Sequence, residues 1–276
     1  MVAGAVPYLS RDMDGARTFG STLLDVADDL AVPGDSNGHL VREETSEGAA
    51  MSATEDLYGT DIYTEPDGDA DTLANLGPLA ALAGIWQGVS GADEHPVVEG
   101  TERNSFVEHY ELQPIDRQTN GPQLFYGLRY HTHIVKPGEV ETFHDQVGFW
   151  LWEPAARTVT LTLGIPRGQV LLAGGAAEAD AREFEVTAAV GSEVYGILSN
   201  PFLDHAFRTL SYRMHVTVND DGTWSYEEEG VLQIPGRDVP FHHIDRNTLT
   251  KIGPPTPNPL ARGATEDGSM HIGSLK

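Results

Sequence analysis

With no cysteine in the chain, the side chains able to ligate a metal strongly are the carboxylates and the eleven histidines. Two histidine groups carry informative spacing. The run Phe241-His242-His243-Ile244-Asp245-Arg246-Asn247-Thr248-Leu249-Thr250-Lys251 suits a strand, in which successive side chains point to opposite faces. His242 and His243 therefore cannot both enter one interior, and at most one is a buried ligand. A neutral imidazole ligates best when its second nitrogen is held by a carbonyl or carboxylate that fixes the tautomer. Asp145, Glu227 and Glu229 are candidates for that hold. The second group is His131-Thr132-His133, two histidines on one strand face, followed by Glu139 and His144. Two histidines, a glutamate and a later histidine are a donor set for a divalent metal. Arg129 shares the face of His131 and His133 while Tyr126, Leu128 and Tyr130 share the other, and the sequence leaves open which face is inward. Arg129, Arg167, Arg208 and Lys251 either meet a ligand carboxylate through charge-assisted hydrogen bonds or pair with acidic neighbours across strands.

Other chemistries lack their residues. No Ser-His-Asp order, nucleophile elbow, phosphate loop or dinucleotide fingerprint occurs; Gly88-Val89-Ser90-Gly91 has neither the spacing nor the strand–turn–helix context of an elbow. Seventeen basic against 42 acidic residues give a formal charge of −25, which repels nucleic-acid backbones and anionic lipid headgroups. The opening Met-Val-Ala-Gly-Ala-Val-Pro has no basic leader, and no stretch approaches the roughly 20 apolar residues of a membrane span. The expectation is a cytoplasmic protein with a small-molecule ligand, without nucleic acid or membrane insertion.

The elements that must position these side chains are strands. Leu124, Tyr126, Leu128, Tyr130 and Ile134 alternate with Arg129, His131 and His133; Val159, Leu161 and Leu163 alternate with threonines; Leu210, Tyr212, Met214, Val216 and Val218 alternate with Ser211, Arg213, His215 and Thr217. Asn120-Gly121-Pro122, Pro137-Gly138, Gly174-Gly175, Asp221-Gly222 and Pro235-Gly236 punctuate them at hairpin spacing. About ten consecutive antiparallel strands leave exposed edges unless they close, so the expectation is all-β, an up-and-down barrel around an apolar pocket. One short helix is expected over 73–83, with Asn75 near its N-cap and Pro78 in its first turn. The barrel domain is expected over 73–253. Residues 1–75 hold sixteen acidic against three basic side chains, so 1–72 reads as a disordered acidic arm, with Met51 a plausible start of the natural protein. The Pro-rich run after Ile252 cannot continue a ladder, which makes 254–276 a flexible tail.

Gly84-Ile85-Trp86-Gln87-Gly88-Val89-Ser90-Gly91, following the helix, resembles the Gly-x-Trp-x-Gly-x-Gly opening of the nitrobindin-like haem-binding β-barrels, relatives of the fatty-acid-binding proteins within the calycins. It departs at Ser90, with Gly91 one place late. His144-Asp145-Gln146-Val147-Gly148-Phe149 is similar to that family's His-x-x-x-Gly-aromatic strand, and Ile165-Pro166-Arg167-Gly168 to its Pro-x-Gly turn. In the family the last strand carries a His-Leu pair whose histidine is the axial ligand of ferric haem. His243-Ile244 fits that pair, but Leu249 and Lys251 then fall one residue late, so a bulge is expected there. The resemblance implies haem b on His243, with His242 as the alternative ligand, and contacts from Trp86, Arg129, His144, Pro166 and Gly168. It further implies binding of nitric oxide or related reactive nitrogen species, with isomerisation of peroxynitrite to nitrate, and allows a homodimer.

Two other readings remain open. One is a haem-free, fatty-acid-binding-protein-like carrier in which Arg129 or Arg208 meets a carboxylate. The other is a cupin-like metal site at His131 and His133, whose flanking spacing departs from the cupin pattern.

Overall fold

Buried and half-exposed positions alternate without a break along Thr158–Ile165, where Val159, Leu161, Leu163 and Ile165 all face inward. β-branched threonines between them suit the pleat, and the same period of two runs through most of the other long strands. The computed structural model describes residues 57–263. Its strands are β1 (Gly84–Val97), β2 (Gly100–Pro114), β3 (Gln118–Asn120), β4 (Gln123–Val135), β5 (Thr142–Glu153), β6 (Thr158–Ile165), β7 (Gln169–Ala176), β8 (Glu183–Val190), β9 (Gly196–Ser199), β10 (Arg208–Val218), β11 (Trp224–Gln233) and β12 (Phe241–Gly253). Two short helices are α1 (Pro201–Ala206) and α2 (Pro259–Arg262).

The expected closure is present. The order is β2-β1-β12-β11-β10-β8-β9-β7-β6-β5-β4-β3, and an added β2–β4 pairing closes the wall, leaving the three-residue β3 as a hairpin on β4. Every pairing is antiparallel except β8 with β9. The strand count exceeds ten because β3 and the four-residue β9 are too short to show a period. Asp221-Gly222 turns the β10–β11 hairpin, with Gly222 at φ +84.

The segment expected as one helix is two 3-10 turns, Leu73–Asn75 and Gly77–Leu82. Gly77 separates them at φ +53, and a Cβ there would lie 2.5 Å from the Trp152 indole nitrogen. The turns drive Leu76, Leu79 and Leu82 into one end of the barrel, where all three are fully buried. Trp86 donates its indole N–H to the Leu82 carbonyl at 2.7 Å and meets Trp224 edge-on at 6.2 Å. Tyr110, Trp150, Leu112 and Leu128 complete this apolar plug.

Residues 1–56 and 264–276 lie outside the described residues, and with them most of the expected arm, the Met51 start and the end of the expected tail. Residues 57–72 and 254–263 are tied to the barrel. The Tyr58 hydroxyl donates to Glu153, and the Asp69 N–H donates to the Tyr126 hydroxyl at 3.0 Å. The Asn258 side chain accepts from the Thr72 N–H at 3.1 Å and donates to the Ala70 carbonyl and Asp116, both at 2.8 Å. One amide thereby satisfies three polar groups of segments that composition alone makes look solvated.

Candidate functional site

Two local features decide which side chains share the lumen. β12 pairs with β11 from Phe241 to Leu249 with no slip in register, so His243, Asp245, Asn247 and Leu249 all face inward. The bulge expected before Leu249 is absent, and none is needed, because His243 and Leu249 are already in phase. β1 behaves oppositely. Its register on β2 shifts between Gly88 and Gly91, where an added Cβ at Gly91 would collide with the Phe106 ring. Trp86 and Gly88 are inward before the bulge, whereas Gly91, Asp93 and His95 are inward after it. Asp93 consequently lies opposite Asp245 and beside His243.

His243 is 1 % exposed. Its Nε2 lies 2.8 Å from Asp93 Oδ1 and 3.6 Å from Asp245 Oδ2, and its Nδ1 is buried without a hydrogen-bond partner. Burial drives its pKa well below the usual histidine value, so the ring is neutral. With the proton on Nε2 donated to Asp93, Nδ1 is left as a bare lone pair. The other Asp93 oxygen meets His95 Nδ1 at 2.5 Å, and His95 Nε2 reaches the half-exposed Glu102 at 3.3 Å. Burial pushes both adjoining carboxyls, Asp93 and Asp245, above the usual carboxylate range, and the charge of Asp93 raises Asp245 further.

Deeper in the lumen two glutamates behave differently. Glu108 accepts from Thr132 Oγ1 at 2.7 Å, the Tyr226 hydroxyl at 2.9 Å and Asn247 Nδ2 at 2.8 Å, so its lone pairs are well occupied. Glu228, paired in register with Asp245, has one oxygen buried without a partner, and burial pushes its pKa up to about 8. These groups line a cavity with Phe106, Ile134, Phe143, His144, Gln146 and Met214, whose free space is about 20 Å³. That is room for a water rather than an acyl chain. The pocket expected to be apolar is thus strongly acidic at this end.

Strand alternation sorts the residues singled out in the sequence. His243 and His144 are inside; His144 Nε2 lies 3.2 Å from Gln146 Oε1, and burial lowers its pKa to about 4. His242 is outside, with Nδ1 2.7 Å from Glu229. Arg129 is exposed on the outer face and cannot reach the lumen. His131 and His133 stand on that outer face too, engaged by Asp145 at 3.1 Å and Thr142 at 2.9 Å. They do not converge with Glu139 or His144: among the described residues, the one group of three donors close enough for a metal is Asp93, His243 and Asp245. Trp86 belongs to the apolar plug, seven residues before Asp93 on β1 and so about 20 Å away along the strand. Pro166 and Gly168 form the β6–β7 turn, Gly168 at φ +78, and Pro166 lines a recess of about 180 Å³ with Phe143, His144 and Arg167. The expected holders of the histidine are engaged elsewhere: Asp145 by His131, Glu227 by Arg213 and Arg246, Glu229 by His242. Asp93, which the sequence reading passed over, takes that role.

The model of the THAP4-like, heme-binding beta-barrel domain matches residues 75–251. The solved structure of Rv2717c from M. tuberculosis matches 65 % of this chain and 96 % of that one, at 19 % identity and a TM-score of 0.44. No curated protein gives a significant match. No helix among the described residues is long and apolar enough to cross a membrane.

The donor set fits haem in its chemistry. A buried neutral imidazole, anchored through one nitrogen by a carboxylate and orphaned at the other, is the arrangement that an iron-bound histidine uses. Phe106, Ile134 and Phe143 form a small apolar cluster apart from the main core, with Phe143 6.2 Å from the His95 ring, and supply the surface that a macrocycle face requires. The enclosed lumen itself is too small for a macrocycle, so uptake requires these side chains at the mouth to move aside.

Proposed function

This chain belongs to the THAP4-like haem-binding β-barrel domain family, and from that premise we propose that it holds haem b through His243 and acts on nitric oxide or related reactive nitrogen species, with isomerisation of peroxynitrite to nitrate as its reaction. The observation that carries the reading is the unpartnered, buried Nδ1 of His243, an uncompensated lone pair on a ring whose other nitrogen is held by Asp93. When bound, the ferric centre supplies a coordination position for the nitrogen species. The residues of the chain do the rest. Asp93 fixes the His243 tautomer and ring orientation and raises its basicity. His95 fixes Asp93 in turn. Phe106, Ile134 and Phe143 exclude water from the mouth, and the polar groups behind them give hydrogen-bond partners for a small oxyanion or water.

The test uses protein reconstituted with hemin. Peroxynitrite should decay faster, with nitrate as product, in wild type than in His243→Ala protein given the same hemin, and nitric oxide should shift the Soret band of wild type. Equal decay and an unresponsive Soret band would contradict the assignment. The lipid-carrier alternative is disfavoured because an acyl chain in the lumen would have to lie against the buried carboxyls of Glu108, Glu228 and Asp245.

A further inference from the structure

Asp93, His243 and Asp245 present one oxygen, one nitrogen and one oxygen that all lie within 4.8 Å of one another. The three residues come from β1 and β12, paired strands in which Asp93 and Asp245 are direct partners; Glu228, on the next strand, is the direct partner of Asp245. Three carboxylates therefore stand at one level across three hydrogen-bonded strands, with His243 two residues along β12 on the same inward face, a rigid platform that needs little rearrangement to converge. Typical zinc bonds of about 2.0–2.2 Å to nitrogen and oxygen are reached by closing the present spacing slightly around a common centre.

The charge balance points the same way. Two carboxylates with oxygens within 4.8 Å of each other, and a third on the neighbouring strand, are costly to bury unless a proton or a cation compensates them. Glu228 is 6 % exposed and lines the cavity beside Asp245 with one oxygen that has no partner at all. That vacancy is independent of the Asp93–His243 contact, and a saturated hydrogen-bond network would not leave it. The water-sized space of about 20 Å³ lies against the same two carboxylates, so a solvent ligand can complete a coordination sphere.

We propose that the haem-free barrel binds one divalent transition-metal cation, such as Zn²⁺ or Mn²⁺, through Asp93, His243 and Asp245, with Glu228 as a further oxygen donor. Carboxylate and imidazole donors without a thiolate suit these borderline and hard cations. The cation compensates the buried carboxylates, and the imidazole proton passes from Nε2 to Nδ1. His95, held on the second oxygen of Asp93, orients that ligand from outside the coordination sphere. Because the cation-bound ring carries its proton on Nδ1, the nitrogen that would meet iron, haem and the cation exclude each other. The inference goes beyond the haem reading and stands without it.

The experiment is calorimetric titration of chelator-stripped, haem-free full chain with Zn²⁺ and with Mn²⁺, alongside Asp245→Asn and Glu228→Gln. Wild type should bind one tight equivalent, distinct from weak binding to its acidic surface, and its melting temperature should rise with the metal. Asp245→Asn should lose at least about tenfold in affinity for that equivalent, and Glu228→Gln should lose less, each variant keeping the melting temperature of metal-free wild type or exceeding it. Identical titrations of wild type and both variants, or no tight equivalent in wild type, would overturn the proposal. Hemin separates the two readings: Asp245→Asn should still develop a Soret band, whereas His243→Ala should lose both the Soret band and the tight cation. A missing Soret band with Asp245-dependent metal binding would sink only the haem reading.

Discussion

The two ends of this barrel are built on the same strands and opposite principles. At the plugged end, the inward positions of β1, β2, β4, β5 and β11 are Trp86, Tyr110, Leu128, Trp150 and Trp224; Trp224 meets Trp86 and Tyr110 edge to face, and Leu76, Leu79 and Leu82 seal the end. A few residues further along the same strands the inward positions are Asp93, Glu108, Thr132, His144 and Glu228, joined by His243 and Asp245 from β12. The first end gains stability from apolar burial at about 25 cal/mol per Å². The second gives stability up: it buries carboxylates and leaves a Glu228 oxygen and a His243 nitrogen unpartnered, acceptors that a ligand would satisfy, where the plug leaves the Trp224 indole N–H unpartnered. Stability and binding are separated along the barrel axis, which lets one end change its chemistry without loss of the other's packing.

The largest expected effect that would sharpen this division is at the plug. Trp86→Ala should cost about 3–5 kcal/mol in denaturant unfolding while hemin binding by the folded fraction persists. Loss of hemin binding with stability intact would place Trp86 in the ligand site and break the comparison.

A smaller effect of the opposite sign is expected at the acidic end. The Glu228 pKa of about 8 lies above its unfolded value, so the neutral form stabilises the ligand-free fold fully at low pH, and that contribution is lost as pH rises through about 8. Glu228→Gln, which cannot ionise, should therefore raise the melting temperature of ligand-free protein at pH 9 by several degrees and change it little at pH 5. His144 titrates in the other direction. Burial lowers its pKa to about 4, so its contribution is present above the usual histidine value and disappears as pH falls through about 4. His144→Gln should accordingly lessen the loss of stability between pH 6.5 and pH 4, read by thermal melts.

The smallest effect is expected on the outer wall. His242, with Glu229, and His131, with Asp145, are surface pairs, and replacing either histidine by alanine should cost less than about 1 kcal/mol and leave hemin and metal titrations unchanged. A lost Soret band in His242→Ala would show that the outer histidine, against its placement, is the ligand.

Much of this division was legible in the sequence. The period of two in β4, β6 and β10 and the Asp221-Gly222 turn predicted strands and hairpin, and alternation put only one of His242 and His243 inside, which is His243. The acidic end was not legible, for two physical reasons. The bulge between Gly88 and Gly91 reverses the parity of β1, so counting alternation from Trp86 puts Asp93 and His95 outside when they are inside. The buried glutamates look like solvent-facing positions because carboxylates are rarely fully buried; only their spacing from Tyr110 and Tyr226, two residues along the same face, marked Glu108 and Glu228 as inward. Arg129, offered either for a ligand carboxylate or for pairing across strands, stands on the outer face, a choice that alternation on its strand leaves open.

The central claim is that the lumenal member of the adjacent histidine pair holds the haem iron. Hemin titrated into wild type, His243→Ala and His242→Ala, followed by absorption, tests it most directly. A saturable Soret band at one equivalent in wild type and His242→Ala, absent from a folded His243→Ala, is the predicted result; a Soret band unchanged by His243→Ala would contradict it.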